Sequence, residues 1–187
     1  LEAQLGERLW VVHRLDRDAS GVVVFARSAQ AHRELCLAFE HRQVGKSYAA
    51  FVAGELTPPA GRIDLALHDA RRGKSRPAQP GEPGRREAST DYSTRQRWAR
   101  EGRVISLIEA RPLTGRHHQI RVHLRARGVP ILFDPLYGGA VASLPGAPSA
   151  RLALHAERLV LRQGALELVA PLPEDLAALR AWLDEGR

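Results

Sequence analysis

Strand-like runs outnumber helical ones in this sequence, and no strand–helix–strand alternation is sustained along it. That missing alternation constrains the fold most. It points to an α+β fold built on a mixed, largely antiparallel sheet with flanking helices. Gly21–Ala26 is β-branched and bounded by polar residues, which predicts a buried strand. Lys46–Leu56 alternates Tyr48, Ala50 and Val52 on one face with Ala49, Phe51 and Ala53 on the other. Ile63–Leu67 reads as a short strand, and Ser89–Trp98 and Val104–Arg111 read as a hairpin closed by Glu101-Gly102. Further strands are expected near Leu152–Ala153, Arg158–Leu161 and Ala165–Val169. Ser28 is suited to cap a helix reaching about Gln43, with Ala31, Leu35, Ala38 and Phe39 inward. A short helix over His118–Arg127 ends at Gly128, and a last one over Glu174–Glu185 carries Leu176, Leu179, Trp182 and Leu183 on one side.

Residues 69–87 are broken by Gly73, Pro77, Pro80, Gly81, Pro83 and Gly84, so no regular element is expected there. Within them, residues 71–86 carry a net charge of +5, which reads as a solvated loop or as an arm that contacts RNA. The whole chain is also basic, at +7 with a pI of about 10.6. Of its 28 basic residues only Lys46 and Lys74 are Lys, and Arg forks suit phosphate and stack on bases. An Arg-rich genome would give the same composition, so charge alone leaves the partner open.

An apolar fraction of 44% excludes disorder throughout, and 187 residues suit one domain with a real core. No run of about 18 apolar residues is present to span a membrane, and Leu1–Trp10 lacks the features of a signal peptide. The single Cys36 cannot form an internal bridge and reads as a small core residue in a reducing compartment, which suggests the cytoplasm. No long exposed apolar stripe stands out, so a monomer is expected.

Two clusters carry chemistry. Asp16 lies between Arg14 and Arg17 in a turn-like segment that feeds a strand. A carboxylate flanked by cations stays ionised, which suits a nucleophile or an electrostatic stabiliser. Equally, Asp16 or Asp18 could simply organise the turn. The second cluster lies between Arg111 and Arg127, which hold five Arg, three His and no acid. Histidines without acidic or Cys companions, among repelling arginines, argue against a metal site. An anion site, or a cation paired with a buried carboxylate, fits better.

These segments resemble the RluA-type RNA pseudouridine synthases. His13-Arg14-Leu15-Asp16 with Ser20-Gly21 resembles that family's first motif. Thr114-Gly115-Arg116 with His118-Gln119-Ile120-Arg121-Val122-His123-Leu124 resembles its second. Lys46, Tyr48 and Gly54 are similar to its lysine-x-tyrosine strand. Asp134, Tyr137 and Gly138 are similar to its late loop, and Leu154-His155-Ala156 with Ala170-Pro171 to its C-terminal signatures. The matches come in order from about residue 11 to about residue 173.

The resemblance implies a mixed-sheet catalytic core and the isomerisation of uridine to pseudouridine in structured RNA, ribosomal or transfer, without cofactor or metal. It implies Asp16 as the nucleophile, Tyr48 as the platform under the uracil and a proton-transfer candidate, and Arg121 as the partner of Asp16. Arg14 would help fill the gap that the flipped uridine leaves. His13, Lys46, Arg116, His118 and Gln119 are the further RNA- or uridine-binding candidates. Read without the resemblance, Tyr48 is a core aromatic and Arg121 an exposed helix charge. Ala19 stands where the family usually has Thr, and Phe133 where it usually has Gly; His117 fills a variable position. The family's Lys-Pro-x-Gly region, expected ahead of His13, has no match in Leu1–Val12, so residues 1–187 read as one catalytic domain shortened at its N-terminus. The alternative is a non-catalytic RNA-binding remnant of the same fold.

Overall fold

The structure, a computed structural model, describes residues 1–70, 73–161 and 164–186. The chain runs through α1 (Glu2–Leu5), β1 (Trp10–Val11), β2 (Ser20–Gly21), β3 (Phe25–Ala26) and α2 (Ala29–Glu40). It continues through β4 (Gly45–Ala53), β5 (Ala60–Asp64), β6 (Leu67–Ala70), β7 (Lys74–Pro77), β8 (Ser89–Arg100) and β9 (Arg103–Pro112). Then come α3 (Gln119–Ala126), β10 (Leu154–Leu161), β11 (Leu166–Val169) and α4 (Glu174–Glu185). The main sheet has the order β11-β10-β4-β9-β8-β5, antiparallel along this path, and β2 adds a parallel pairing to β10. The fold is thus α+β on a mixed, largely antiparallel sheet.

β4 lies inside the sheet, and Ala49, Ala50, Phe51 and Val52 are all buried, so both of its faces pack. Ile120 and Leu124 of α3 and Leu176, Leu179 and Leu183 of α4 join the same core. Phe51 stacks on Trp98 of β8 at 6.0 Å. The β8–β9 turn has φ of 51° at Glu101 and 70° at Gly102, the left-handed pair that a two-residue hairpin loop requires. Ser28 Oγ accepts the Ala31 amide and starts α2 as expected.

Several boundaries differ from the sequence reading. Gly21–Ala26 is not one buried strand. Ser20 and Gly21 pair with β10, Phe25 and Ala26 pair with β1, and the valines between cross from one sheet to the other. Residues 69–87 hold regular structure after all: β6 and β7 form an antiparallel hairpin, with Leu67 opposite Pro77 and Ala70 opposite Lys74. Arg71 and Arg72, counted in that stretch's charge, lie outside the described residues. The short strand expected at Ile63–Leu67 is split between β5 and β6, and the strand expected from Arg158 begins already at Leu154. Cys36 is half-buried rather than a core residue, with Sγ 3.4 Å from His32 Nε2. Among the described residues no helix is long and apolar enough to cross a membrane.

Candidate active site

The segment that carries Asp16 is pinned to the sheet from behind. The Ala19 amide donates to the Asp16 carbonyl, and β2 follows at once against β10. Gly21 sits there at φ 126°, and a Cβ at this position would overlap the Ala156 backbone. Only glycine lets the loop approach β10 so closely. Ser20 Oγ adds a bond to His155 Nδ1 and receives Arg151 Nη2, while Arg151 is itself held by Asp175.

Arg121 enters from α3 and is 2% exposed, buried rather than displayed. Its fork grips Asp134, with Nε 2.8 Å from Oδ2 and Nη2 2.7 Å from Oδ1, and its Nη1 lies 3.3 Å from Asp16 Oδ2. Asp134 Oδ1 also accepts the amides of Leu136 and Tyr137. Burial opposes ionisation of Asp134, but the Arg121 fork and these amides outweigh it and hold the carboxyl below its ordinary range. The cation paired with a buried carboxylate, one of two sequence expectations for this cluster, is present, and Asp134 supplies the carboxylate.

Tyr48 projects from β4 directly opposite Ala110 of β9 and Ala156 of β10. Burial and then the nearby Asp16 charge push the Tyr48 phenol up to about 12, so it stays protonated. Lys46, two residues earlier and half-buried, has its Nζ 3.5 Å from the Thr114 carbonyl, and burial lowers its pKa.

Asp16, Tyr48, Lys46, His13, Arg14, Arg116, His118 and Gln119 all line one cleft of about 460 Å3, and the exposed Arg86 stands in its wall. Some of these side chains are already committed. His13 Nε2 accepts the Val24 amide and its ring stacks on Phe39 at 4.7 Å. Gln119 uses its amide four ways, accepting from Thr114 Oγ1 and the Arg116 amide and donating to the Ser89 carbonyl and Thr90 Oγ1. It fastens the loop before α3 to β8. Arg116 Nε donates to the Glu87 carbonyl. Arg14 is exposed at the rim, and no ion pair ties it to a described residue.

His118 is buried, and desolvation pushes it down to about 4 against the opposing pull of Asp16. Its Nε2 is 4.0 Å from Asp16 Oδ1. His117, which carried no message in the sequence, stacks on His118 at 3.7 Å and meets Ser75 Oγ of β7. Tyr137 and Asp134 also belong to the constellation. The late-loop resemblance had flagged them without assigning a role. Among the described residues no group of three or more His, Cys, Asp or Glu could hold a metal ion.

A family model described as RNA pseudouridylate synthase matches residues 2–126. The chain is 39% identical to a ribosomal large subunit pseudouridine synthase D of Xylella fastidiosa, across 95% of this chain and 56% of that protein. It is 38% identical to a tRNA pseudouridine synthase C of Pasteurella multocida, across 86% of this chain and 70% of that protein. The chain therefore spans just over half the length of the synthase D relative. Among solved structures, Human RNA Pseudouridylate Synthase Domain Containing 4 superposes with a TM-score of 0.75 at 28% identity, covering 96% of this chain and 80% of that one. The family match takes in Asp16, Tyr48 and Arg121, and the fold agrees over nearly the whole chain; the chain belongs to the RluA-type RNA pseudouridylate synthase family.

Proposed function

We propose that this chain isomerises specific uridines to pseudouridine in structured RNA, ribosomal or transfer. One observation carries the reading: an ionisable carboxylate, Asp16, faces a cleft with the buried Arg121 guanidinium against it and the Tyr48 ring lining the same cleft. The reaction breaks the bond from N1 to C1′ of the ribose and makes one from C5 to C1′. The C5 proton is lost and N1 gains one, so no redox partner or cofactor is called for. A base undergoing this chemistry has to leave its stack, at a cost of a few kcal/mol. Tyr48, kept neutral, receives the flipped uracil and can pass a proton. Arg14 at the rim takes the place that the uridine vacates. Arg121 holds the Asp16 carboxylate in place as it attacks the nucleotide. Lys46, Arg86 and Arg116 supply positive charge for the backbone around the target, and an RNA substrate together with a free Cys36 suits the cytoplasm.

The test is pseudouridine formation, mapped position by position in unmodified RNA, for the wild type and for Asp16→Asn. Loss of isomerisation with RNA affinity kept within about threefold is expected, because the variant removes the nucleophile and leaves the basic cleft. Turnover persisting in Asp16→Asn would overturn the nucleophile. Binding without any turnover in the wild type would favour a binding module.

A further inference from the structure

Tyr137 Oη lies between two groups whose hydrogen-bonding needs differ. The backbone amide of Ser75 donates to it at 2.8 Å, and His118 Nδ1 lies 2.8 Å away. An amide can only donate, so it takes an Oη lone pair and leaves the single Oη–H for His118 Nδ1. Nδ1 is then the accepting nitrogen, and the ring proton of neutral His118 sits on Nε2. The other tautomer would set Nδ1–H against Oη, and the phenol proton would lose its acceptor. Nε2 is the nitrogen that faces Asp16 Oδ1 at 4.0 Å, while Asp16 Oδ2 meets Arg121 Nη1 at 3.3 Å. The two carboxylate oxygens face two different N–H donors.

We propose that Ser75 and Tyr137 lock His118 in its Nε2–H tautomer, and that this N–H positions the Asp16 carboxylate for attack. The role of the lock rests on the isomerase reading, since the orientation of the carboxylate matters only if Asp16 attacks. A gap of 4.0 Å exceeds a hydrogen bond, and such contacts commonly tighten when substrate fills a site. The surroundings restrict the ring to this use. His118 holds a left-handed backbone at φ 53°, uncommon outside glycine, at the head of α3. His117 covers one face of the ring, and Ser75 Oγ holds His117 in turn. The Tyr137 ring stands edge-on to His118, and the Tyr137 amide is fixed by Asp134. Burial keeps His118 neutral, the state in which a single tautomer is defined. Because the Ser75 amide belongs to β7, the β6–β7 hairpin is part of the device. His118 acts here as a positioning residue.

The tautomer is read on the free protein by 15N spectra of histidine-labelled chain, with the His118 signal identified by its absence in His118→Gln. The wild type is expected to give the Nε2–H pattern. Tyr137→Phe, which keeps the ring and its packing, is expected to give mixed or Nδ1–H signals. On RNA, Tyr137→Phe should lower kcat about tenfold with KM within about twofold, the size of one hydrogen bond to a charged group. His118→Gln, which retains an N–H donor of similar reach, should turn over about tenfold faster than His118→Leu. An Nδ1–H tautomer in the wild type, or an unchanged tautomer in Tyr137→Phe, overturns the lock. Equal turnover in His118→Gln and His118→Leu overturns the positioning role. The spectra need no RNA, so a wild type that modifies no uridine would sink the isomerase reading while the lock is still decided on its own.

Discussion

At the scale of single residues, a guanidinium at 2% exposure is tolerable only because three carboxylate oxygens face it, two from Asp134 and one from Asp16. The two acids are not equivalent. The Asp134 side chain is fully buried and grips Arg121 through two bonds, while that of Asp16 is 20% exposed and contributes one longer contact. Asp134→Asn leaves the buried charge largely uncompensated and should destabilise the fold by roughly 3–5 kcal/mol. Asp16→Asn, with the Asp134 fork intact, should cost less than about 1 kcal/mol. Urea midpoints of the two variants decide the matter; a larger loss in Asp16→Asn would mean that Asp16 is the main counter-charge. The sequence motifs singled out Asp16, Tyr48 and Arg121; the fold places Asp16 and Tyr48 in one cleft and Arg121 buried behind it, against Asp16. The partnership of Asp134 with Arg121 was not legible, because a loop thirteen residues further on has to fold back beneath the helix to make it. Gln119 sat within a functional-looking motif, yet its amide is consumed in holding backbone and hydroxyl groups. Phe133, placed where the resemblance expects Gly, takes the left-handed φ of 57°, at a cost of about 1 kcal/mol, while its ring packs against the main core.

At the scale of elements, the hairpin β6–β7 was hidden by its punctuation. Gly73 adopts φ 67° next to β7, and Pro77 ends that strand, so residues that read as breakers serve as a turn and a stop. What fixes the hairpin is tertiary, and a local pattern cannot report it. Leu67 packs with Val122 and Tyr137, and Ser75 bonds Tyr137 and His117. Gly21–Ala26 misled for a similar reason: Val22 and Val24 pack into a second small core while Val23 is 37% exposed, a local alternation that two separate pairings produce. The β8–β9 hairpin and α4 were legible because their turn residues and apolar stripe act locally. The basic character expected of the 71–86 stretch now has a framework. Arg76 is committed to Glu82 and Arg85 pairs with Glu87 at 2.8 Å, yet Lys74, Arg85 and Arg86 are all exposed around the hairpin, with Arg86 4.0 Å from Asp69 and also in the cleft wall. Changing these three to Gln should weaken RNA binding and flatten the plot of log affinity against log salt by about 2–3. An unchanged slope would mean that the hairpin acts only through Ser75 and Tyr137.

At the scale of the whole molecule, pH couples the core to the site. His13, His118 and His123 are each held below their ordinary pKa, with burial the leading cause in all three. The folded protein therefore binds these protons less tightly than the unfolded chain does, and unfolding takes protons up below about pH 6.5. Stability contributed by neutral imidazoles is complete above that pH and is lost as pH falls, for His118 down to about 4. Each histidine adds a slope of up to about 1.4 kcal/mol per pH unit while only its unfolded form is protonated. Below about pH 4 the carboxylates take over, because Asp134 and Asp175 are held under their ordinary range and their contribution is lost as they protonate. Tyr48 has the opposite sign: its phenol is raised to about 12, so its contribution is present below about pH 10 and lost from there to about 12. The urea midpoint is thus expected to rise steeply from pH 4 to about 6.5, to gain a little more as the lowered Lys46 gives up its proton ahead of the unfolded chain, and to fall beyond about 10 as Tyr48 ionises. His118→Gln should flatten the acid limb and leave the alkaline limb unchanged, since it removes one of the three imidazoles and does not touch Tyr48. An acid limb as steep in that variant as in the wild type would mean that the His118 ring is protonated in the fold as readily as in the open chain, and that the neutral ring facing Asp16 is not the state the cleft maintains.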